Sequence, residues 1–191
     1  MKTYTEFITE FIEELQEASK KSSKRQEYKH NKGLSSALVS AHRGDLTPSQ
    51  NNKRHAELKR LARKSGHGFV EVHGHYIEKD DTTGKPRKVK EKSLRIDAKS
   101  NSDEHHGELR NLAVALGNRY NQDSVGITSK SRGSAYHGLK PGGDPPKGEK
   151  MSIGDFHRDP DQSEPYASYM SGNPKKGFVF KHPPKKKGDN K

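Results

Sequence analysis

The residues in this 191-residue chain best suited to chemistry are histidines that lie close to a glutamate. His73 and His75 lie two and four positions beyond Glu71, which places all three on one side of a strand. Imidazole and carboxylate groups are common ligands of divalent metal ions, so His73 and His75 are candidate metal ligands. The alternative is a row of polar side chains on the open face of a half-covered sheet. The absence of the HExxH and HxxxH spacings favours this alternative, and we predict no metal or other cofactor.

Other signatures of catalysis are missing from the sequence. The chain contains no cysteine, which excludes disulfides, thiolate nucleophiles and cysteine-ligated metal centres. It has no GxSxG nucleophile motif, no phosphate-loop lysine motif and no GxGxxG motif after a strand. We therefore expect a protein that is not an enzyme. The alternative is a nuclease or a nucleotide-modifying enzyme that uses the histidines together with Glu71.

Positive charge is the strongest compositional feature, because 37 Lys and Arg residues outweigh 25 Asp and Glu and give a net charge of +12. Such a field attracts polyanions, and DNA is the partner we expect. Ten cationic residues on a predicted helix and hairpin are the candidate phosphate ligands: Lys53, Arg54, Lys59, Arg60, Arg63, Lys64, Lys85, Arg87, Lys88 and Lys90. The alternative is an ordinary solvated charged surface. No apolar run approaches the roughly 18 residues of a transmembrane helix, so we expect no membrane partner.

Hydrophobic periodicity predicts the elements that position these residues, in the order β-α-β-β-α-β. Strands are expected at Leu34–His42, Phe69–Glu78, Val89–Ile96 and Ser124–Thr128, and helices from Pro48 to Gly66 and from Ser102 to Gly117. This order is typical of a small α+β, ferredoxin-like sandwich, in which two helices cover one face of an antiparallel sheet.

Shifts in composition divide the chain into four predicted segments. Residues 1–17 form an amphipathic helix, residues 18–32 a polar linker, and residues 33–130 the α+β domain. Residues 131–191 are rich in Pro, Gly and Lys and indicate an irregular basic tail, with one possible strand at Gly177–Lys181.

The N-terminal segment carries a recognisable pattern. Its opening residues, MKTYTEFITE, resemble the capsid-targeting sequence of internal head proteins of T-even-type bacteriophages. In that family a prohead protease cuts after a Glu that follows Leu or Ile by two positions. The resemblance therefore implies cleavage between Glu17 and Ala18, or between Glu10 and Phe11. Removal of residues 1–17, which contain one Lys and five Glu, raises the net charge from +12 to about +16.

The resemblance also implies a place for the protein. It would be loaded into the phage head beside the DNA, with the capsid scaffold core and the prohead protease as partners, and would enter the host cytoplasm with the genome. There it could act on a host defence protein, such as a restriction enzyme. A purely structural DNA-condensing protein is the alternative.

The central domain shows a fainter likeness. Its segments around Thr47–Arg54 and Tyr120–Val125 are similar to an uncharacterised domain family of phages and bacteria. That family implies no activity. Our leading hypothesis from the sequence is a non-enzymatic internal capsid protein that binds DNA.

Overall fold

A computed structural model describes residues 33–79, 84–129, 131–158, 167–170 and 177–181. The chain divides into two compact units, Met1–Gly33 and Leu34–Lys191, and all described helices and strands belong to the second. The elements are β1 (Ser36–Ser40), α1 (Pro48–Lys64), β2 (Phe69–Lys79), β3 (Pro86–Asp97), α2 (Asp103–Arg119), β4 (Ser124–Thr128), β5 (Ala135–Gly138), β6 (Lys150–Ser152), β7 (Asp155–Arg158), β8 (Ala167–Met170) and β9 (Gly177–Lys181).

The sheet is antiparallel, and its strand order is β6-β5-β4-β1-β3-β2-β8-β9-β7. At its centre, β3 lies between β1 and β2, so the two strands joined by α1 are split by a third. This is the split βαβ arrangement of ferredoxin-like domains. The predicted α+β class and the order β-α-β-β-α-β are confirmed.

Local signals in the sequence explain where α1 begins. Thr47 caps the helix, Pro48 occupies its first turn, and the Thr47 and Gln50 side chains bond each other's backbone N–H groups in a capping box. The helix buries one side, with Leu58 and Ala62 packed into the core. On the same side, one and two turns earlier, lie the buried polar residues His55 and Asn51.

The core lies between the two helices and one face of the sheet. Alternating strand residues such as Val39, Leu94 and Ile96 meet Leu109 and Ala113 of α2. All five are almost completely buried. A strand residue on this face can therefore contact the helices, and Glu71 of β2 is such a residue.

The second helix continues past the glycine at which we predicted its end. Gly117 lies inside α2, which runs to Arg119 and is capped by Tyr120. A Cβ at position 117 would collide with the Leu139 and Val125 side chains. The glycine is therefore required for close packing against the sheet rather than for a left-handed turn, and the predicted helix end is wrong.

The prediction of an irregular C-terminal tail is also wrong for the described residues. β5 pairs with β4 at one edge of the predicted four-stranded sheet, and β8 pairs with β2 at the other. The edge strands thereby gain partners for backbone groups that would otherwise be unpaired. These tail strands are only three to five residues long, too short for a hydrophobic period. The strand suggested at Gly177–Lys181 is confirmed.

Two further results concern the ends and the surface of the chain. The predicted amphipathic helix, linker and cleavage sites lie in residues 1–32, outside the described residues. The four proposed segment boundaries stay predictions. Within the described segments, none of the helices has the length and apolar character needed to cross a bilayer.

Candidate active site

The first site residue is Glu71, which lies on the helix-facing side of β2. It pairs in register with the core residue Leu94 of β3, so its side chain points toward α1. Its Oε2 atom lies 3.0 Å from His55 Nε2 and 3.0 Å from Lys59 Nζ. His55 and Lys59 are four residues apart on α1, so both reach the same carboxylate from one helix face.

The strand contributes the next partner. His73 is two residues beyond Glu71 and shares its side of β2, and its Nε2 atom lies 3.2 Å from Glu71 Oε1. The Glu71 side chain is 22% exposed and that of His73 is 28% exposed, so solvent reaches both side chains. The proximity of Glu71 and His73 predicted from their spacing is confirmed.

The charge state of Glu71 follows from these contacts. Burial alone would raise the pKa of its carboxyl group, but hydrogen bonds from His55 and Lys59, together with the Lys59 charge, outweigh burial and lower the pKa to about 2. Glu71 is therefore a carboxylate throughout the physiological pH range. A carboxylate of such low basicity is suited to holding a cation and is a weak general base.

A third histidine, His42, lies just after β1 and extends the group. Its ring meets that of His55 edge to face, with centroids 5.6 Å apart. Burial, with the nearby charges of His55 and Lys92, lowers the pKa of His42 to about 4. The pKa of His55 is also lowered, by burial, although Glu71 acts in the opposite direction. Both imidazoles are therefore neutral at pH 7.

Two ring nitrogens in this pair lack a hydrogen-bond partner. Within the described part of the chain, His42 Nε2 and His55 Nδ1 are buried without a hydrogen-bond partner. Because Glu71 accepts the proton of His55 Nε2, the Nδ1 atom of His55 carries a lone pair. Buried polar atoms without partners are costly, and such atoms are found where a ligand completes them. We call His42, His55, Lys59, Glu71 and His73 the Glu71 cluster.

The loop after β1 carries His42 and is fixed by side chains from two other elements. Gln122 Nε2 donates to the His42 carbonyl oxygen at 2.9 Å, and Arg54 Nε donates to the Ala41 carbonyl oxygen at 2.7 Å. Arg54 also donates to the Tyr120 carbonyl oxygen, at 2.5 Å. The backbone at His42 is thus tied both to α1 and to the turn after α2.

Asn51 holds the next part of the same loop. Its Oδ1 atom accepts from the Arg43 backbone N–H at 2.9 Å, and its Nδ2 atom donates to the Arg43 carbonyl oxygen at 2.9 Å. A further bond runs from Nδ2 to the Leu46 carbonyl oxygen at 3.3 Å. The asparagine is 9% exposed, so these bonds are largely protected from water.

The structure separates the predicted phosphate ligands into two sets. Arg54 and Lys59 make the contacts above, and the Arg63 guanidinium lies over the Phe69 ring, 5.5 Å from its centroid. Arg63 is nevertheless exposed, as are Lys53, Arg60, Lys64, Lys85 and Lys90. Arg87 and Lys88 lie in β3, and His75 lies in β2, but their side chains are outside the described residues, as are Glu10, Phe11, Glu17 and Ala18 entirely.

The metal hypothesis gains no support from the described residues. Among them, no three His, Asp or Glu side chains are arranged to hold a metal ion. Instead, the Nε2 atoms of His55 and His73 both meet the Glu71 carboxylate. Spacing in the sequence did not single out His42 or His55. His55 could have been found from its position three residues before Leu58, because this spacing places it on the buried side of α1.

Comparison with known proteins gives this geometry a chemical context. The model of the S-adenosylmethionine lyase family matches residues 37–180, three quarters of the chain. The chain belongs to the S-adenosylmethionine lyase family. The match includes the whole Glu71 cluster and all four core strands of the sheet except the first residue of β1.

The other comparisons give no further information about this member of the S-adenosylmethionine lyase family. A solved structure described as a phage SAM lyase in complex with S-methyl-5'-thioadenosine is 20% identical, with a TM-score of 0.34. The aligned region covers 56% of this chain and 90% of that one. No curated protein matches the chain.

Family membership corrects the function predicted from the sequence. The expectation of a non-enzymatic internal capsid protein is wrong, and so are its alternatives of a nuclease, a nucleotide-modifying enzyme and a structural DNA condenser, because this is a family of lyases. The faint likeness noted for the central domain is replaced by a named family. Residues 1–17 lie outside the matched range.

Proposed function

We propose that this protein is an S-adenosylmethionine lyase and that the Glu71 cluster is its active site. The observation that carries the proposal is the family match over residues 37–180. The cluster supports the location, because it joins an ionised carboxylate, the neutral imidazoles of buried His55 and half-buried His42, and two buried ring nitrogens without partners. Perturbed titratable groups of this kind concentrate at functional sites.

The charges of the cluster complement this substrate. S-Adenosylmethionine carries a sulfonium and an ammonium group, both positive, and one carboxylate. Glu71 offers a partly exposed carboxylate to a cationic group, and Lys59, 33% exposed, offers an ammonium group to the substrate carboxylate. The neutral rings of His42 and His55 add no positive charge that would repel the sulfonium.

A lyase breaks the carbon–sulfur bond without water, and two routes achieve this. In elimination, a base removes a proton from the β carbon. In internal displacement, a substrate carboxylate oxygen forms a bond to the γ carbon, the γ carbon–sulfur bond breaks, and its electron pair stays on sulfur as a neutral thioether. This route yields methylthioadenosine and a lactone and transfers no proton.

The low pKa values of two members of the cluster favour internal displacement. With pKa values of about 2 for Glu71 and about 4 for His42, neither residue is basic enough at pH 7 to remove a proton from carbon efficiently. Internal displacement consumes one positive and one negative charge, so a site with little water accelerates it. We infer that the cluster acts by binding and orienting the substrate.

The test is product analysis with the purified protein in water enriched in oxygen-18. Methylthioadenosine together with an unlabelled lactone is the expected result. Labelled homoserine formed directly would show hydrolysis, and vinylglycine would show elimination, and either would contradict internal displacement. No loss of substrate at all would contradict the lyase assignment.

The location of the site is tested by Glu71→Gln. Loss of one charged contact costs about 1.5 to 3 kcal/mol, so kcat/KM should fall about 10- to 150-fold. Glu57→Gln is the matched control, because Glu57 lies on α1 and is ion-paired with Arg119 away from the cluster. Equal activity of the two variants, with both folded by circular dichroism, would place the active site elsewhere.

We also propose that residues 1–17 deliver the enzyme. Their resemblance to a capsid-targeting sequence supports packaging in the phage head, with the scaffold core and the prohead protease as partners, and release into the host cytoplasm. Early loss of S-adenosylmethionine would starve host methyltransferases and restriction enzymes that require it. Mass spectrometry of purified virions should find the chain beginning at Ala18 or Phe11. An intact Met1 in virions, or absence of the chain, would contradict this proposal.

A further inference from the structure

A second group of ionisable side chains lies around the N-terminal half of α2. His106 and Arg110 are four residues apart and share one side of the helix. His137 of β5 pairs in register with Lys150 of β6, and with the core residue Val125 of β4. The β5 and β6 side chains at these positions therefore share the helix-facing side of the sheet, beside α2.

The loop between β4 and β5 supplies the fifth member, Arg132. Its guanidinium contacts the carboxylate of Asp103 in the first turn of α2, on the helix turn before His106. We call His106, Arg110, Arg132, His137 and Lys150 the α2 basic patch. Its members come from one helix, two strands and a loop, so the tertiary fold rather than local sequence assembles it.

Both histidines of the patch interact electrostatically with Arg110 and Lys150. The pKa of His106 is lowered by burial and by Arg132, Arg110 and Lys150, while Asp103 raises it. The pKa of His137 is lowered by burial and by Lys150, Arg110 and His106. The α2 basic patch is therefore a place where positive groups repel one another in the free protein.

We propose that the α2 basic patch is a binding site for phosphate groups, separate from the Glu71 cluster. Three permanent cations from three elements surround two imidazoles that gain protons when an anion arrives. Tetrahedral phosphate, which accepts hydrogen bonds on several sides, matches donors that converge from a helix, a sheet and a loop.

Two histidines distinguish this patch from the exposed cations of α1. His106 and His137 are half-buried, and His106 Nδ1 is fixed by a 2.9 Å hydrogen bond to Ser35 Oγ. Arg110, Arg132 and Lys150 are exposed, as are the α1 residues Lys53, Arg60 and Lys64, so the two sets of cations are matched in exposure and differ in their neighbours. The phosphate could belong to a nucleic acid backbone or to a free phosphate ion, and the experiment separates these sources.

The test compares two variants with the same change in charge. Arg110→Gln, Arg132→Gln and Lys150→Gln are combined in the patch variant, and Lys53→Gln, Arg60→Gln and Lys64→Gln in the control variant. Binding to a 20-base-pair duplex is measured by fluorescence anisotropy over a series of salt concentrations. The patch variant should reduce the slope of log affinity against log salt by about 2 to 3, since each phosphate contact contributes about 0.9.

An NMR pH titration of the histidine side chains gives an independent readout. In the full-length protein, saturation with the duplex should raise the pKa of both imidazoles, assigned with His106→Gln and His137→Gln. Affinity should therefore increase as the pH falls from 8 to 6. Inorganic phosphate, at ionic strength matched with chloride, is the second arm. A pKa rise with phosphate but not with the duplex would support the site and assign it to the free ion.

Two results would overturn the proposal. The first is an equal loss of duplex binding in the patch and control variants together with an unchanged pKa of both imidazoles in inorganic phosphate, which would show attraction by net charge alone. The second is no movement of the His106 and His137 resonances with either ligand. Both variants should retain lyase activity, which separates this test from that of the Glu71 cluster and shows that the variants are folded.

Discussion

The loop that carries His42 depends on Asn51, and Asn51→Ala tests how strongly. The substitution removes three hydrogen bonds, two at 2.9 Å to the Arg43 backbone and a longer one at 3.3 Å to the Leu46 carbonyl oxygen. At about 1 kcal/mol for each good bond and less for the long one, the expected loss is about 2 to 3 kcal/mol. Activity should fall as well, because the loop positions His42.

Asn52→Ala is the matched control for this change. Asn52 is the next residue of α1 and is exposed, so its replacement gives the same gain in helix propensity without removing the loop contacts. Relative to Asn52→Ala, the Asn51→Ala variant should unfold about 4 to 12 °C lower, since 1 kcal/mol corresponds to about 2 to 4 °C in a protein of this size.

The assays are thermal unfolding followed by circular dichroism and steady-state turnover of S-adenosylmethionine. We expect kcat/KM of Asn51→Ala to fall about tenfold below that of Asn52→Ala, because a displacement of about 1 Å at a reacting group costs up to about 100-fold. If the two variants unfold together, the loop is not held by Asn51. If they differ in stability and share the same kcat/KM, the loop does not position the active site.

Three other predictions concern the charges and the packing. Lys59→Met removes a group that lowers the pKa of Glu71, so the acid limb of the pH profile of kcat/KM should move to higher pH. If the acid limb does not move, ionisation of Glu71 does not control it. His42 binds a proton more readily in the unfolded protein than in the folded one, because folding lowers its pKa to about 4. Lowering the pH from 6.5 to 4 should therefore destabilise the wild type more than the His42→Phe variant, as measured by urea titration. Gly138→Ala would place a Cβ against two backbone carbonyl oxygens and should lower the free energy of unfolding by about 1 to 3 kcal/mol. Gly142→Ala adds a Cβ in open space and should change that free energy little. Equal effects of the two substitutions in urea titrations would contradict the packing at Gly138.

The central fold was predictable because its signals are local and repeated. The capping residue Thr47, Pro48 in the first turn, and the apolar period of the helix fix α1 within two residues of its observed end. β4, Ser124–Thr128, has the bounds that its apolar residues predicted. The tail strands β5 to β8 escaped prediction because pairing with neighbouring strands stabilises them, and no property of their own sequence records that pairing.

The candidate site was predictable only where its residues share one element. Glu71 and His73 are two apart on a strand, so their proximity could be deduced from the pleat. His42 and His55 lie on different elements and meet only because α1 packs over the sheet. The α2 basic patch escaped prediction for the same reason, since Arg110, Arg132 and Lys150 are dispersed along the sequence.

The proposed chemistry explains why the sequence seemed to lack an enzyme's signature. Motif searches detect nucleophiles activated by a base, phosphate loops and metal ligands, each of which needs particular residues at short spacing. In internal displacement the substrate supplies both the nucleophile and the leaving group, so the protein needs no activated serine, cysteine or metal. Its contribution is to hold a carboxylate and a sulfonium in one conformation and to keep charges of suitable sign around them. Such a site can be assembled from common residues on separate elements, as Glu71, Lys59 and His42 are, and it becomes visible only when the fold brings them together.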